Sequence, residues 1–102
     1  MKDLTTIPTS FKLGGNTWRV KRVKLKDMHG DCNYNSCVIR VATHINDVPQ
    51  SEKLQLQAFL HEWAHAIFYT MGRGVQENLV AALEQMLYQS ITTFKFPKKW
   101  TE

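Results

Sequence analysis

Three residues in the second half of the chain have types and spacing that suit metal chemistry. His61, Glu62 and His65 form an HExxH pattern within an apolar stretch. Residues four apart lie one above the other on an α-helix, so both imidazoles can reach one zinc ion at about 2.1 Å. Glu62 lies about 100° around the helix, where its carboxylate can contact a metal-held water. The pattern predicts a zinc site with Glu62 as the general base of a hydrolysis.

The motif also has a purely structural interpretation. Two histidines in an apolar helix could be core side chains that bond to backbone or tyrosine groups, with Glu62 at a solvated edge. We favour the metal site because the motif lies in the middle of a predicted helix, where both histidines share one face.

A catalytic zinc site needs a third protein ligand and an open fourth position. The metzincin extension requires Gly and His seven and ten positions after the first His, where this chain has Phe68 and Met71, so that class is excluded. The following helix offers Glu77 and Glu84. Counting 1.5 Å per residue along a tight helix hairpin brings a residue near 80 to 84 level with the motif and favours Glu84.

The segments before the motif predict a sheet. Turn-forming residues at positions 14–16 and 35–36 indicate two β-hairpins, the first with strands near 9–13 and 17–25 and the second over 30–42. The apolar alternation changes phase after Val20, which predicts a β-bulge near Lys21 and Arg22.

Two helices should follow the strands. Capping residues predict that the first begins between 48 and 52 and ends at Gly72. Apolar residues at three-and-four spacing predict the second from Val75 to about Phe94, closed by Pro97. The short connection requires nearly antiparallel packing. We therefore predict an α+β fold, with a small antiparallel or mixed sheet of two hairpins packed on an antiparallel helix pair.

Length and composition limit the class of protein. The 102 residues, 43% hydrophobic and 22% charged, suit a single domain over residues 1–102. No run approaches the roughly 18 apolar residues of a transmembrane helix, and no secretion signal is visible, so we expect a soluble cytoplasmic protein without a membrane partner. Cys32 and Cys37 should be free thiols there. The sequence leaves the oligomeric state undefined.

Four segments carry a resemblance to a known family. They are the pair Gly30 and Tyr34, the strand run VIRV at 38–41, the run LHEWAHA at 60–66, and a second helix with Glu77, Val80, Leu83 and the LYQ run at 87–89. Together they look like the small phage-encoded zincin-like metallopeptidases related to the ImmA/IrrE and SprT-like families.

The resemblance implies a minimal zincin-like fold and a zinc-dependent peptidase. It implies Glu77 as the third ligand, and we accordingly predict a Zn²⁺ site formed by His61, His65 and Glu77. It also implies that residues 37–41 lie along the cleft as an edge that pairs with an extended chain. We expect a peptide or protein substrate, in the host cytoplasm if the protein is phage-encoded.

Other interpretations stay open. The chain could be a phage-type binding module that keeps this fold but acts by binding a host protein or nucleic acid without hydrolysis. Tyr69 could donate to a developing oxyanion, although packing is the favoured role. A second candidate metal set comprises His29, Cys32, Cys37 and His44, although free thiols and exposed histidines are favoured.

The net charge of +4 is concentrated in a basic run over residues 19–26 and in a basic C-terminus. The run could contact nucleic acid, although a solvated strand face is the favoured interpretation.

Overall fold

The chain folds into a mixed five-stranded sheet packed with two helices, as the computed structural model shows for residues 7–73 and 77–95. The strands are β1 Ser10–Leu13, β2 Asn16–Leu25, β3 Gly30–Asn33, β4 Val38–Ile45 and β5 Val48–Pro49. The helices are α1 Glu52–Thr70 and α2 Glu77–Thr93. The predicted α+β class is confirmed, and the single domain over 1–102 stays a prediction.

The sheet contains both predicted hairpins, joined in an order that the sequence did not indicate. β1 pairs with β2 and β3 pairs with β4, both antiparallel. Between the hairpins β2 runs parallel to β4, which gives the order β1-β2-β4-β3, with β5 also pairing with β4. The prediction that residues 37–41 form a cleft edge is wrong, because β4 lies between two strands and β3 is the edge.

The predicted bulge is also misplaced. Trp18, Val20 and Arg22 continue one alternation toward α1, and the Arg22 guanidinium donates to Oε1 of the buried Gln55 at 2.7 and 3.0 Å. The change of apolar phase after Val20 therefore reflects an inward-facing arginine rather than an extra residue. The register shift lies between Val23 and Lys24, where β4 contributes one additional residue.

Helix α1 begins and ends at the residues that its capping signals predict. The Ser51 hydroxyl accepts a hydrogen bond from the Leu54 amide at 3.1 Å, which satisfies one of the amides left free at a helix start. At the other end Gly72 adopts a φ of 75°, and its amide and that of Arg73 donate back to Tyr69 and Phe68. This left-handed ending is a Schellman motif and fixes where the chain leaves the helix.

The core lies between the sheet and α1. Its fully buried side chains come from β2, β4 and the helices, and the largest are Trp18, Ile39, Val41, Leu60 and Val80. Helix α2 buries only Val80 completely and covers one side of α1. The predicted start of this helix at Val75 and its closure by Pro97 lie outside the described residues. Neither described helix is long and apolar enough to cross a membrane.

Candidate metal centre

The predicted ligand residues come together between the two helices. His61 and His65 lie one turn apart on α1, with ring centroids separated by 4.9 Å. Glu77 is the first residue of α2, so the antiparallel return of the chain brings it back beside the end of α1. His61, His65 and Glu77 each offer a ligand atom, and these atoms all lie within 4.8 Å of one another.

The separations within this cluster suit a small tetrahedral ion. One Glu77 oxygen lies 3.3 Å from Nε2 of His65, and the other lies 3.7 Å from Nε2 of His61. Ligand atoms about 2.1 Å from a tetrahedral zinc are roughly 3.4 Å apart. Both measured separations are close to this value, so one zinc ion could be held by these three groups after small side-chain adjustments. Glu77 is 62% exposed, which leaves one side of the cluster open to solvent.

Glu84 occupies a different place around the same imidazole. Its Oε1 lies 3.0 Å from Nδ1 of His61, on the ring edge away from the cluster. A carboxylate only accepts hydrogen bonds, so Nδ1 donates in this contact, and the matching neutral tautomer has its lone pair on Nε2. The count of residues along the helices predicted that Glu84 lies level with His61, and it does. Glu84 contacts the far side of the His61 ring, however, and is not part of the cluster with His65 and Glu77.

Glu62 lies on the side of α1 that faces the edge strand β3. Its Cγ lies 3.5 Å from the position that a Cβ on Gly30 would occupy, so Glu62 lies directly against the start of β3. Burial raises the pKa of Glu62 to about 7, the nearby His61 lowers it, and the carboxylates of Asp31, Glu77 and Glu84 raise it further. A carboxyl with a pKa near neutrality suits a group that takes and returns a proton.

A cleft of about 420 Å³ opens beside the motif, on the side of α1 that precedes His61. It is lined from α1 by Leu54, Ala58, His61 and Glu62, which follow one another along the helix. Gly30 at the start of β3 also lines it. The cleft therefore gives a molecule of moderate size access to the general-base candidate and to one of the two histidines.

A stacked tyrosine pair, which the sequence did not predict, lies near the other end of the motif. The rings of Tyr34 and Tyr69 are parallel within 3° and their centroids are 4.2 Å apart. Burial raises the pKa of Tyr34, with smaller contributions from nearby groups that include Glu62 and Glu77. The structure thus shows Tyr69 in a packing contact, the role favoured for it, and its oxyanion role stays a prediction.

The second candidate metal set, His29, Cys32, Cys37 and His44, does not form a cluster that could hold an ion. Across residues 7–73 and 77–95, the cluster of His61, His65 and Glu77 is the one group of three or more His, Cys, Asp or Glu side chains that could hold an ion. Cys32 and Cys37 are free thiols, as predicted. Burial, reinforced by neighbouring negative charges, raises the pKa of Cys32 to about 12, which disfavours the thiolate that binds metals.

The basic side chains of residues 19–26 lie on both faces of the sheet. Arg19 and Lys21 point away from the helices, whereas Arg22 points toward α1 and bonds to Gln55.

No protein-family model matches the chain, and no match was found among curated proteins or among solved structures.

Proposed function

We propose that the protein is a zinc-dependent peptidase in which His61, His65 and Glu77 hold the ion and Glu62 is the general base. The observation that carries this proposal is the contact of one carboxylate, Glu77, with Nε2 of both motif histidines at 3.3 and 3.7 Å. Each of the three residues has a ligand atom within 4.8 Å of the other two, so a single ion between them could contact all three. Two imidazoles and one carboxylate are a ligand set that catalytic zinc sites use.

The chain's own residues support the remaining roles. When bound, zinc supplies a Lewis acid that acidifies water and polarises a carbonyl. Glu62 takes a proton from the attacking water and returns it to the leaving amine, which a pKa near 7 permits in both directions. Glu84 holds the His61 ring in the tautomer that leaves Nε2 free.

The position of the edge strand supports a peptide or protein substrate. Among the described strands β3 pairs only with β4, so its other side offers backbone amides and carbonyls to an added strand. Gly30 opens this strand and lies directly beside Glu62. An extended peptide that paired with β3 would pass the general base, which replaces residues 37–41 as the proposed binding edge.

The two free thiols support a reducing compartment, and we propose that the protein acts in the cytoplasm. Cys32 is half-buried and uncharged at neutral pH, so it packs beside Glu62 without competing for the ion.

The function is tested with zinc-loaded protein and an unfolded protein substrate such as reduced casein, with cleavage followed by mass spectrometry. We expect cleavage by the wild type, loss of cleavage in Glu62→Gln with zinc retained, and loss of both in His61→Ala. Glu52→Gln, which neutralises an exposed carboxylate on the same helix, is the matched control and should cleave normally. Cleavage that survives unchanged in Glu62→Gln would contradict the proposal. If Glu62→Gln keeps its zinc and still produces the protein's effect in the cell without cleaving protein, the protein acts as a binding module instead.

A further inference from the structure

The face of the sheet that neither helix covers carries a group of basic side chains. Strand alternation places Lys12 of β1, Arg19 and Lys21 of β2 and Arg40 of β4 on the side opposite the buried Trp18. We call these four cations the basic sheet face. They come from three neighbouring strands, so the fold gathers charges that are up to 28 positions apart in the chain.

The strand register makes these cations neighbours. Lys21 is the cross-strand partner of Arg40, and Arg19 lies two residues before Lys21 on the same face. Ser10 is the partner of Arg19 in the first hairpin, which puts Lys12 diagonally beside Arg19. Cross-strand partners are about 5 Å apart at their Cβ atoms, and diagonal or next-but-one neighbours about 7 Å. The four charges therefore form a continuous row across the sheet.

Little within the fold compensates these charges. Asp31 of β3 pairs with Arg40, with Nε of the arginine 2.9 Å from Oδ1. Within residues 7–73 and 77–95, Lys12, Arg19 and Lys21 have no carboxylate partner. Adjacent like charges on a sheet destabilise it, and an anionic ligand would remove that repulsion. Three positive charges are left for such a ligand.

We propose that the basic sheet face binds the phosphate backbone of a nucleic acid. The uncharged cross-strand partners of the four cations, Ser10, Thr17 and Val38, include no aromatic side chain that could stack on a base, so the contacts would go to phosphates and would be independent of base sequence. The apolar residue among them, Val38, is small and half-buried, unlike the large anchors that dominate protein interfaces or insert into membranes. Because α1 lies on the opposite face of the sheet, a bound nucleic acid would leave the cleft beside His61 open. This inference does not depend on the proposed peptidase activity.

The test is fluorescence anisotropy with labelled duplexes of DNA and of RNA, 20 base pairs each, at several salt concentrations. Three uncompensated charges predict that log K falls with log salt at a slope of roughly −2.7, so binding to DNA weakens about 40-fold between 50 and 200 mM salt. The double variant Arg19→Gln/Lys21→Gln should flatten the slope to roughly −1. Whether DNA, RNA or both bind identifies the source of the phosphates.

The matched control is Lys53→Gln/Lys95→Gln, which removes the same net charge from exposed positions on α1 and after α2. It should keep the wild-type slope. Equal loss in both double variants would mean that net charge alone drives binding and would overturn the proposal. The proposal also fails if neither duplex binds at 50 mM salt, or if phosphatidylserine vesicles bind while both duplexes do not. Thermal unfolding should show that neither double variant is less stable than the wild type, because all four substituted side chains are exposed and Arg19→Gln/Lys21→Gln also relieves repulsion.

Discussion

Glu84 and Glu77 contact opposite nitrogens of His61, and the Glu84 oxygen lies 3.0 Å from Nδ1. One carboxylate thus orients the ring while the other shares its Nε2 side with His65. The geometry therefore separates the carboxylate that we propose as a metal ligand from the one that contacts only Nδ1, a distinction that the spacing of two glutamates on a helix does not provide.

The division predicts unequal zinc affinities for two single substitutions. Glu77→Gln removes a proposed anionic ligand, whereas Glu84→Gln keeps an oxygen acceptor for Nδ1 and removes only the charge that strengthens the hydrogen bond orienting His61. We expect Glu84→Gln to weaken zinc binding about 10- to 100-fold and Glu77→Gln to weaken it more. Competition against a chromophoric zinc chelator at constant pH measures both. A larger loss in Glu84→Gln would reverse the two roles.

The raised pKa of Glu62 predicts a pH-dependent stability of the metal-free protein. Folding raises this pKa from 4.5 to about 7, so between these values the unfolded chain releases the proton first and stability falls as the pH rises. Glu62→Gln should therefore gain stability relative to the wild type between pH 5 and pH 8. Solvent reaches part of the carboxylate, so we expect about 1 kcal/mol, or roughly 4 to 8 °C in Tm.

The measurement is thermal unfolding in EDTA at pH 5 and pH 8, and Glu52→Gln supplies a control at an exposed carboxylate. If the difference in Tm between Glu62→Gln and the wild type is the same at both pH values, folding does not raise the pKa of Glu62 and the prediction is wrong.

Cys32 should be an unreactive thiol in the folded protein. Burial and the charges of Glu62, Asp31 and Cys37 raise its pKa to about 12, so almost none of the thiolate nucleophile forms at pH 8. We expect iodoacetamide to modify Cys32 at least about tenfold more slowly in the native protein than in urea at the same pH. Peptide mass spectrometry resolves Cys32 from Cys37, and equal rates in both conditions would contradict this environment.

Gly30 should resist substitution because of its neighbours. A Cβ there would lie 2.6 Å from the backbone oxygen of Arg40, and backbone cannot move aside as a flexible side chain can. We expect Gly30→Ala to destabilise the protein by about 1 to 3 kcal/mol in urea unfolding. Lys12→Ala, at an exposed position of β1, is the control and should change stability by less than about 0.5 kcal/mol. Similar values for both would argue against the close approach of β3 to β4.

Local signals made the helices of this fold predictable. Ser51 and Gly72 mark the ends of α1 through interactions within a few residues, so the sequence alone indicates them. Strand order is different, because the parallel pairing of β2 with β4 joins residues about 20 positions apart and depends on packing against α1. Arg22 illustrates the limit, since its partner Gln55 belongs to another element and its inward position looked like a bulge.

The candidate site follows the same pattern. The HExxH residues are adjacent on one helix and were identifiable from spacing, but the relation of Glu77 and Glu84 to His61 depends on how far α2 slides along α1. Tyr34 contributed to the family resemblance, but its stacking was not predictable, because its partner Tyr69 lies 35 positions away on another element.

The central claim is that His61, His65 and Glu77 form one zinc site, and its most direct test is elemental analysis of protein purified without chelator. We expect about one zinc per chain in the wild type and almost none in His61→Ala or His65→Ala, with the fold of each variant checked by circular dichroism. Wild-type protein without zinc, or zinc content that His61→Ala leaves unchanged, would contradict it.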